Sequence, residues 1–230
     1  MLELCESLDI LSVDVEAKRL GVFIAYTYTW LDERRTCNYD PLEEEINRLV
    51  NYLRSKYTLE KLREDSVVRA YRDFYWKIKI DPTKIRPSSE ALVRRTLRGS
   101  FPRINLIVDA ENIASAYTMI PISVYDLDMV KLPIKLTISR GGEIFRPIGG
   151  GEIVLKEGLP ILVDSRGVIM HVYPYRDSVE TMIRENTVKA LIIAAGVPGV
   201  DSVLVKRAAE LTAEILEKIG WKWCKIVKIV

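Results

Sequence analysis

Residues 103–128 read RINLIVDAENIASAYTMIPISVYDLD. The run Ile104, Leu106, Ile107 and Val108 reads as an apolar strand that opens directly onto a polar corner, Asp109-Ala110-Glu111-Asn112. A second polar cluster follows at Ser123, Tyr125, Asp126 and Asp128. A buried strand ending in carboxylates and an amide fixes polar groups at the rim of a core, where pockets form. This stretch is the first candidate for chemistry, and the elements on either side decide what surrounds it.

Toward the N-terminus, 8–15 and 22–30 read as strands. In the second, Val22, Ile24, Tyr26, Tyr28 and Trp30 alternate with Phe23, Ala25, Thr27 and Thr29, the period-two pattern of a sheet with unlike faces. The aromatic row is either a binding face or ordinary core packing. Asp40-Pro41 starts an amphipathic helix, with Asp as N-cap, Pro at the first position and Glu43 to Glu45 against the positive end of the dipole. Thr58 caps a further helical segment, and 66–76 continues in helical periodicity. Ser88-Ser89-Glu90 opens a helix that Gly99 closes. Arg94, Arg95 and Arg98 gather in its last turns, either as a patch for the phosphate backbone of an RNA or as solvated complements to the helix dipole.

Toward the C-terminus, short strands are expected at 131–139, 143–148, 159–164 and 168–173, separated by glycine-bearing turns. That spacing indicates a compact antiparallel arrangement. Gly149-Gly150-Gly151 is followed by neither Lys-Ser/Thr nor a helix, so it is not a phosphate-binding loop. There is no dinucleotide-binding fingerprint and no Gly-x-Ser-x-Gly elbow. An apolar strand over 187–195 leads to a long helix capped by Asp201, and 221–230 ends the chain as a strand. Helices at both ends of a strand-rich middle predict an α+β fold, mostly antiparallel, rather than βαβ repeats. With no internal repeat or linker, 1–230 reads as a single domain.

Of the 230 residues, 48% are apolar and 29% charged, an ordinary globular balance. The net charge of +2 gives no global attraction for polyanions, so any nucleic-acid contact must be local. No apolar run approaches bilayer length, and the first residues carry acids where a secretory signal needs bases, which predicts a cytoplasmic protein. Cys5, Cys37 and Cys224 are odd in number, far apart and without CxxC spacing, arguing against both a disulfide framework and a zinc site. His171, the one histidine, alternates with apolar neighbours and reads as a strand histidine with a satisfied ring. A Ser178-His171-Asp177 triad can be written down, but only proximity in sequence recommends it.

Four stretches resemble, in order, the B3/B4 domain of the phenylalanyl-tRNA synthetase beta subunit. They are Asp81-Pro82-x-x-x-Arg86-Pro87-Ser88, VDAENIASAYTMIPISVYDLD at 108–128, the Gly-Glu-x-Phe turn at Gly142 to Phe145, and Arg176-Asp177-Ser178 followed by Thr187. The resemblance covers roughly 60–200 and is nearest to free-standing proteins carrying this domain alone, with strand-helix and helix-strand elaborations at the two ends. It implies hydrolysis of the ester between a wrongly attached amino acid and its tRNA, with no metal or other cofactor. The partners it implies are tRNA and an amino acid or aminoacyl ester, with no membrane and no DNA.

The positions matching the family's site are Glu111, Asn112, Ser123, Val163, Asp164 and Asp177, with Arg176 and Ser178 as neighbouring substrate-binding candidates. Asn112 is retained, and its amide can position water and donate to an oxyanion. Glu111 stands where the family has Thr, Ser123 where it has His, and Asp177 where a Glu binds substrate. Val163 and Asp164 replace small pocket-lining residues. Without the family's histidine, Glu111 or Asp177 becomes the expected proton acceptor, its pKa raised by partial burial. The alternative is a non-catalytic module that binds tRNA, an amino acid or another small ligand. Structural roles compete at each position: Asn112 in a turn, and Arg176-Asp177 as an ion pair.

Overall fold

The computed structural model describes residues 5, 6, 8–32 and 40–230. The 103–128 stretch differs from its sequence reading at once. Leu106–Thr118 is a helix, not a strand. Asn105 caps it, its side chain accepting from the N–H groups of Ile107 (3.1 Å) and Val108 (3.0 Å). Asp109 reaches back to the N–H of Ile104 at 2.8 Å, so the first turn is tied from both sides. The buried positions Ile107, Ala110, Ile113 and Ala114 follow helical spacing. The helix ends at Met119 with φ 61°, a left-handed stop made without glycine. An N-cap set between apolar residues and an end with no glycine hide the helix from a reading by pattern.

The other helices are α1 (Val15–Arg19), α2 (Asp40–Lys56), α3 (Ser66–Lys77), α4 (Ser88–Leu97) and α6 (Ser202–Lys218), with Leu106–Thr118 as α5. The strand expected over 8–15 is confined to β1, Leu11–Val13, because Asp14 caps α1 through the N–H of Ala17 at 2.9 Å. Asp65 and Asp201 cap α3 and α6 in the same way. Asp201 holds the place expected of it.

Strands β2 (Phe23–Trp30), β10 (Lys189–Gly196), β3 (Ile122–Asp126) and β11 (Lys222–Trp223) form one antiparallel sheet in the order β11-β2-β10-β3, with β12 (Lys228–Ile229) also on β2. The single strand expected over 221–230 is thus broken in two, with Lys225 between the pieces at φ 57°. A second sheet runs β1-β4-β7-β8-β9, with β4 Ile134–Ile138, β7 Pro160–Val163, β8 Ile169–Val172 and β9 Arg176–Asp177. Its β1–β4 pair is parallel and the rest antiparallel. A small hairpin, β5 (Ile144–Phe145) with β6 (Ile153–Val154), stands beside it. The architecture is α+β, as expected.

α6 packs on β2 and β10, and α5 lies against α6, α2, α4 and β3. β2 does not present unlike faces. All but its first residue are buried, so Tyr26, Tyr28 and Trp30 are core and not a binding face. Buried hydroxyls are used as struts: Tyr173 donates to the carbonyls of Phe23 (2.7 Å) and Gly196 (2.8 Å), and Tyr71 to that of Ala195. The reading of the cysteines is corrected. Cys5 and Cys224 form a disulfide with Cα atoms 5.3 Å apart, because β12 returns the end of the chain to its beginning along β2. Cys37 lies outside the described residues.

Candidate functional site

β9 is two residues long, and its pairing with β8 sets His171 opposite Asp177. Directly paired residues share a face, so both side chains turn toward the first sheet. There β3 presents Ser123 and Tyr125, two positions apart and hence on one face. Asp177 collects all three. Ser123 Oγ donates to Oδ2 at 3.2 Å, Tyr125 Oη to Oδ1 at 2.9 Å, and His171 Nδ1 lies 2.7 Å from Oδ1. A carboxylate only accepts, so this contact places a hydrogen on Nδ1. Ser123, Tyr125 and His171 are buried, whereas the Asp177 side chain is 31% accessible. Asp177 is therefore the member of the cluster that meets solvent.

Glu111 approaches from α5. Burial, and then the charge of Asp177, push its carboxyl well above the usual carboxylate range. The residue as a whole is half-buried, while its carboxyl is desolvated. Burial and Asp177 likewise raise the Tyr125 hydroxyl well above 10, and Glu111 adds to the effect. Glu111, Ser123, Tyr125, His171 and Asp177 thus share one electrostatic site. Asn112 follows Glu111 on the same half-buried stretch of α5, in mid-helix rather than at a strand end. Val108, Glu111, Asn112 and Ser115 recur at helical spacing on one side.

The remaining candidates lie elsewhere. Val163 pairs with Lys135 on the outer face of the second sheet, while Leu162, one residue earlier, pairs with His171 on the inner face. Asp164 is buried and fully engaged. It accepts from the N–H groups of Lys131, Arg166 and Val168 and from the Arg166 guanidinium, locking the turn after β7. Burial opposes the charged form of Asp164, but these donors outweigh it and hold its carboxyl below the usual range. Arg176 is exposed and pairs with Val172, opposite in face to Asp177, so the two form no ion pair. Ser178 is completely buried, and its Oγ accepts from the N–H of Glu180 at 3.1 Å. The His171–Asp177 half of the written triad exists, and Ser178 takes no part in it.

Arg94 is buried against Glu90, Nε to Oε1 2.8 Å, with Nη2 on the Leu59 carbonyl at 3.2 Å. It does not belong to an exposed patch. Arg95 and Arg98 are exposed, and Arg54 of α2 reaches toward Gly99 beside them.

From sequence, Tyr125 reads only as part of a polar cluster and His171 as a strand histidine; the structure brings both onto Asp177. The spacing of Tyr125 from Ser123 was a usable signal; the approach of His171 to β3 had none. Three surface hollows occur away from the cluster. One of about 410 Å³ lies between α3 and Pro198-Gly199, one of about 550 Å³ on the outer face of the second sheet, and one of about 560 Å³ beside Cys5 and β12. Glu111, Asn112, Ser123 and Asp177 line none of them, whereas Val163 and Asp164 line the second. Among the described residues, no group of three or more His, Cys, Asp and Glu side chains is placed to hold a metal ion. No described helix is long and apolar enough to cross a membrane.

No curated protein matches the chain. A crystal structure of an N-terminal fragment of the phenylalanyl-tRNA synthetase beta-subunit from Pyrococcus horikoshii is similar at 17% identity and a TM-score of 0.49, over 93% of this chain and 49% of that one. The chain thus spans about half the length of that fragment. The model of the B3/4 domain matches residues 70–220, well over half of the chain and enclosing every candidate position at the Asp177 site. By that match, the chain belongs to the B3/4 domain family.

Proposed function

We propose that the protein hydrolyses the ester of a wrongly charged aminoacyl-tRNA in trans, with Glu111, Asn112, Ser123 and Asp177 at the reacting centre. One observation supports this above the rest: Asp177 is held by three donors at the edge of solvent, beside a carboxyl whose affinity for a proton is raised. Two acids with environments this different have different tasks. Asp177, the accessible one, anchors the ammonium of the aminoacyl group. Glu111, desolvated and close to that charge, takes the proton from an attacking water and returns it to the leaving ribose oxygen. The Asn112 amide positions the water or donates to the oxyanion. His171 and Tyr125 orient Asp177 and are positioning residues. Arg54 of α2, Arg95 of α4 and Arg98 just after α4 are exposed and are assigned to the RNA backbone in this reading.

The test is to incubate the protein with a panel of correctly and incorrectly charged tRNAs and follow ester lifetime. A shortened lifetime for at least one mischarged species is expected, and unchanged lifetimes across the panel overturn the reading. The occupancy of Asp177 by its own donors favours a second reading in which the site binds an aminoacyl end without cleaving it. That reading predicts saturable binding, weakened by Asp177→Ala, with no turnover in the same assay.

A further inference from the structure

The hollow of about 550 Å³ on the outer face of the second sheet lies between β4, β7, β8 and the β5–β6 hairpin. It faces away from His171 and Asp177 and is a separate site. Ile138, Ile144, Ile161, Val163 and Ile169 give it aliphatic walls. Lys135 and Arg140 stand at it, both exposed and without a salt bridge to any described residue.

Two of the acids nearby, Asp164 and Asp14, are already committed. Asp164 is saturated by Arg166 and three backbone N–H groups. Glu143 Oε1 accepts from the N–H of Arg140 at 2.6 Å, while its Oε2 is buried in the wall and has no hydrogen-bond partner among the described residues. Asp14 lies within the field of Lys135, yet its oxygens hold the Ala17 N–H and the Thr137 hydroxyl. Two uncommitted cations over a branched aliphatic floor complement an anion that carries hydrocarbon, and a guanidinium matches the two oxygens of a carboxylate.

We propose that this hollow binds a small free aliphatic carboxylate, with its chain on the isoleucine walls and its charge held by Lys135 and Arg140. Inorganic phosphate would leave the aliphatic floor uncovered, and an aliphatic amine would meet two like charges. Isothermal titration with octanoate, N-acetylleucine, octylammonium and inorganic phosphate tests this.

The expected result is saturable binding of one or both carboxylates, weakened at least tenfold in the Lys135→Gln/Arg140→Gln variant, and at least tenfold weaker binding of octylammonium and phosphate. The tighter of octanoate and N-acetylleucine distinguishes a straight-chain acid from an acylated amino acid. Both substitutions are at exposed positions, and perturbation of the Ile138 and Ile161 methyl resonances by octanoate checks the location in the unaltered protein. The proposal is overturned if neither carboxylate saturates, if the double variant binds equally well, if octylammonium or phosphate binds as tightly, or if those methyl signals do not move.

Discussion

His171 and Asp177 face each other across β8 and β9, Nδ1 2.7 Å from Oδ1, with the imidazole buried and the carboxylate partly open to solvent. The contact places a hydrogen on Nδ1 and aims a carboxylate at the surface from a buried support. Ser123 and Tyr125 complete that support from the other sheet, so the geometry of Asp177 depends on how the two sheets pack.

Removing the charge and removing a support should have different effects. Asp177→Asn, which removes the charge that anchors the ammonium, is expected to slow deacylation by about 100-fold, the upper end of what one hydrogen bond to a charged group contributes. His171→Asn, which keeps a donor, should cost about tenfold at the same centre. Single-turnover assays on variants with unchanged circular dichroism check both, and equal rates for wild type and Asp177→Asn would exclude a catalytic role.

The raised proton affinity of Glu111, caused first by burial and then by Asp177, makes both stability and rate depend on pH. The folded state holds this proton more tightly than the unfolded chain, whose value is about 4.3. The stabilisation is therefore complete below that value and is lost as pH rises through the higher folded value. A proton acceptor must be deprotonated, so deacylation should rise with pH across the same upper range. Glu111→Gln should flatten the stability profile and abolish the rise in rate, as measured by denaturant titration and by a pH–rate profile.

Glu90 is fully buried between Arg94 and Arg72, at 2.8 and 3.0 Å. Taking away one partner of such a group leaves a buried charge uncompensated, so Glu90→Ala should destabilise the protein by about 3–5 kcal/mol. Urea unfolding is the measurement. Arg94→Ala should also lower stability, which is why it is unsuitable as a probe of RNA contact.

Arg95 and Arg98 are suitable probes. If tRNA binds across the end of α4, Arg95→Ala/Arg98→Ala should reduce the slope of log affinity against log salt by about 2 and leave stability within about 0.5 kcal/mol. An unchanged slope would move the RNA contact elsewhere.

The Cys5–Cys224 bridge joins positions 219 residues apart. Closing so long a loop restricts the unfolded chain, and Cys5→Ser/Cys224→Ser should cost about 2–4 kcal/mol. Reductant should destabilise the unaltered protein by a similar amount and have no effect on the variant.

Periodicity along the chain determined a good deal of this molecule. The amphipathic α2, the cap at Asp201, and the short glycine-separated strands after residue 131 are set by neighbours a few positions apart, and local sequence records them. The helical state of 106–118 was not legible: its cap is a lone Asn105 among apolar residues, and its stop is Met119 in a conformation usually left to glycine. The site divided the same way. Glu111, Asn112, Ser123 and Asp177 were picked out from sequence, but Tyr125 and His171 join them only because β9 folds back on β8 and the pair meets β3 across the core. Val163 was taken from the site by a single step along β7, since adjacent strand residues point to opposite faces. Arg94 turned inward to a buried Glu90, and Cys5 found Cys224 where β12 pairs with β2. Long-range pairings carry no mark in local pattern, because the energy that selects them arises only when distant segments exclude water together.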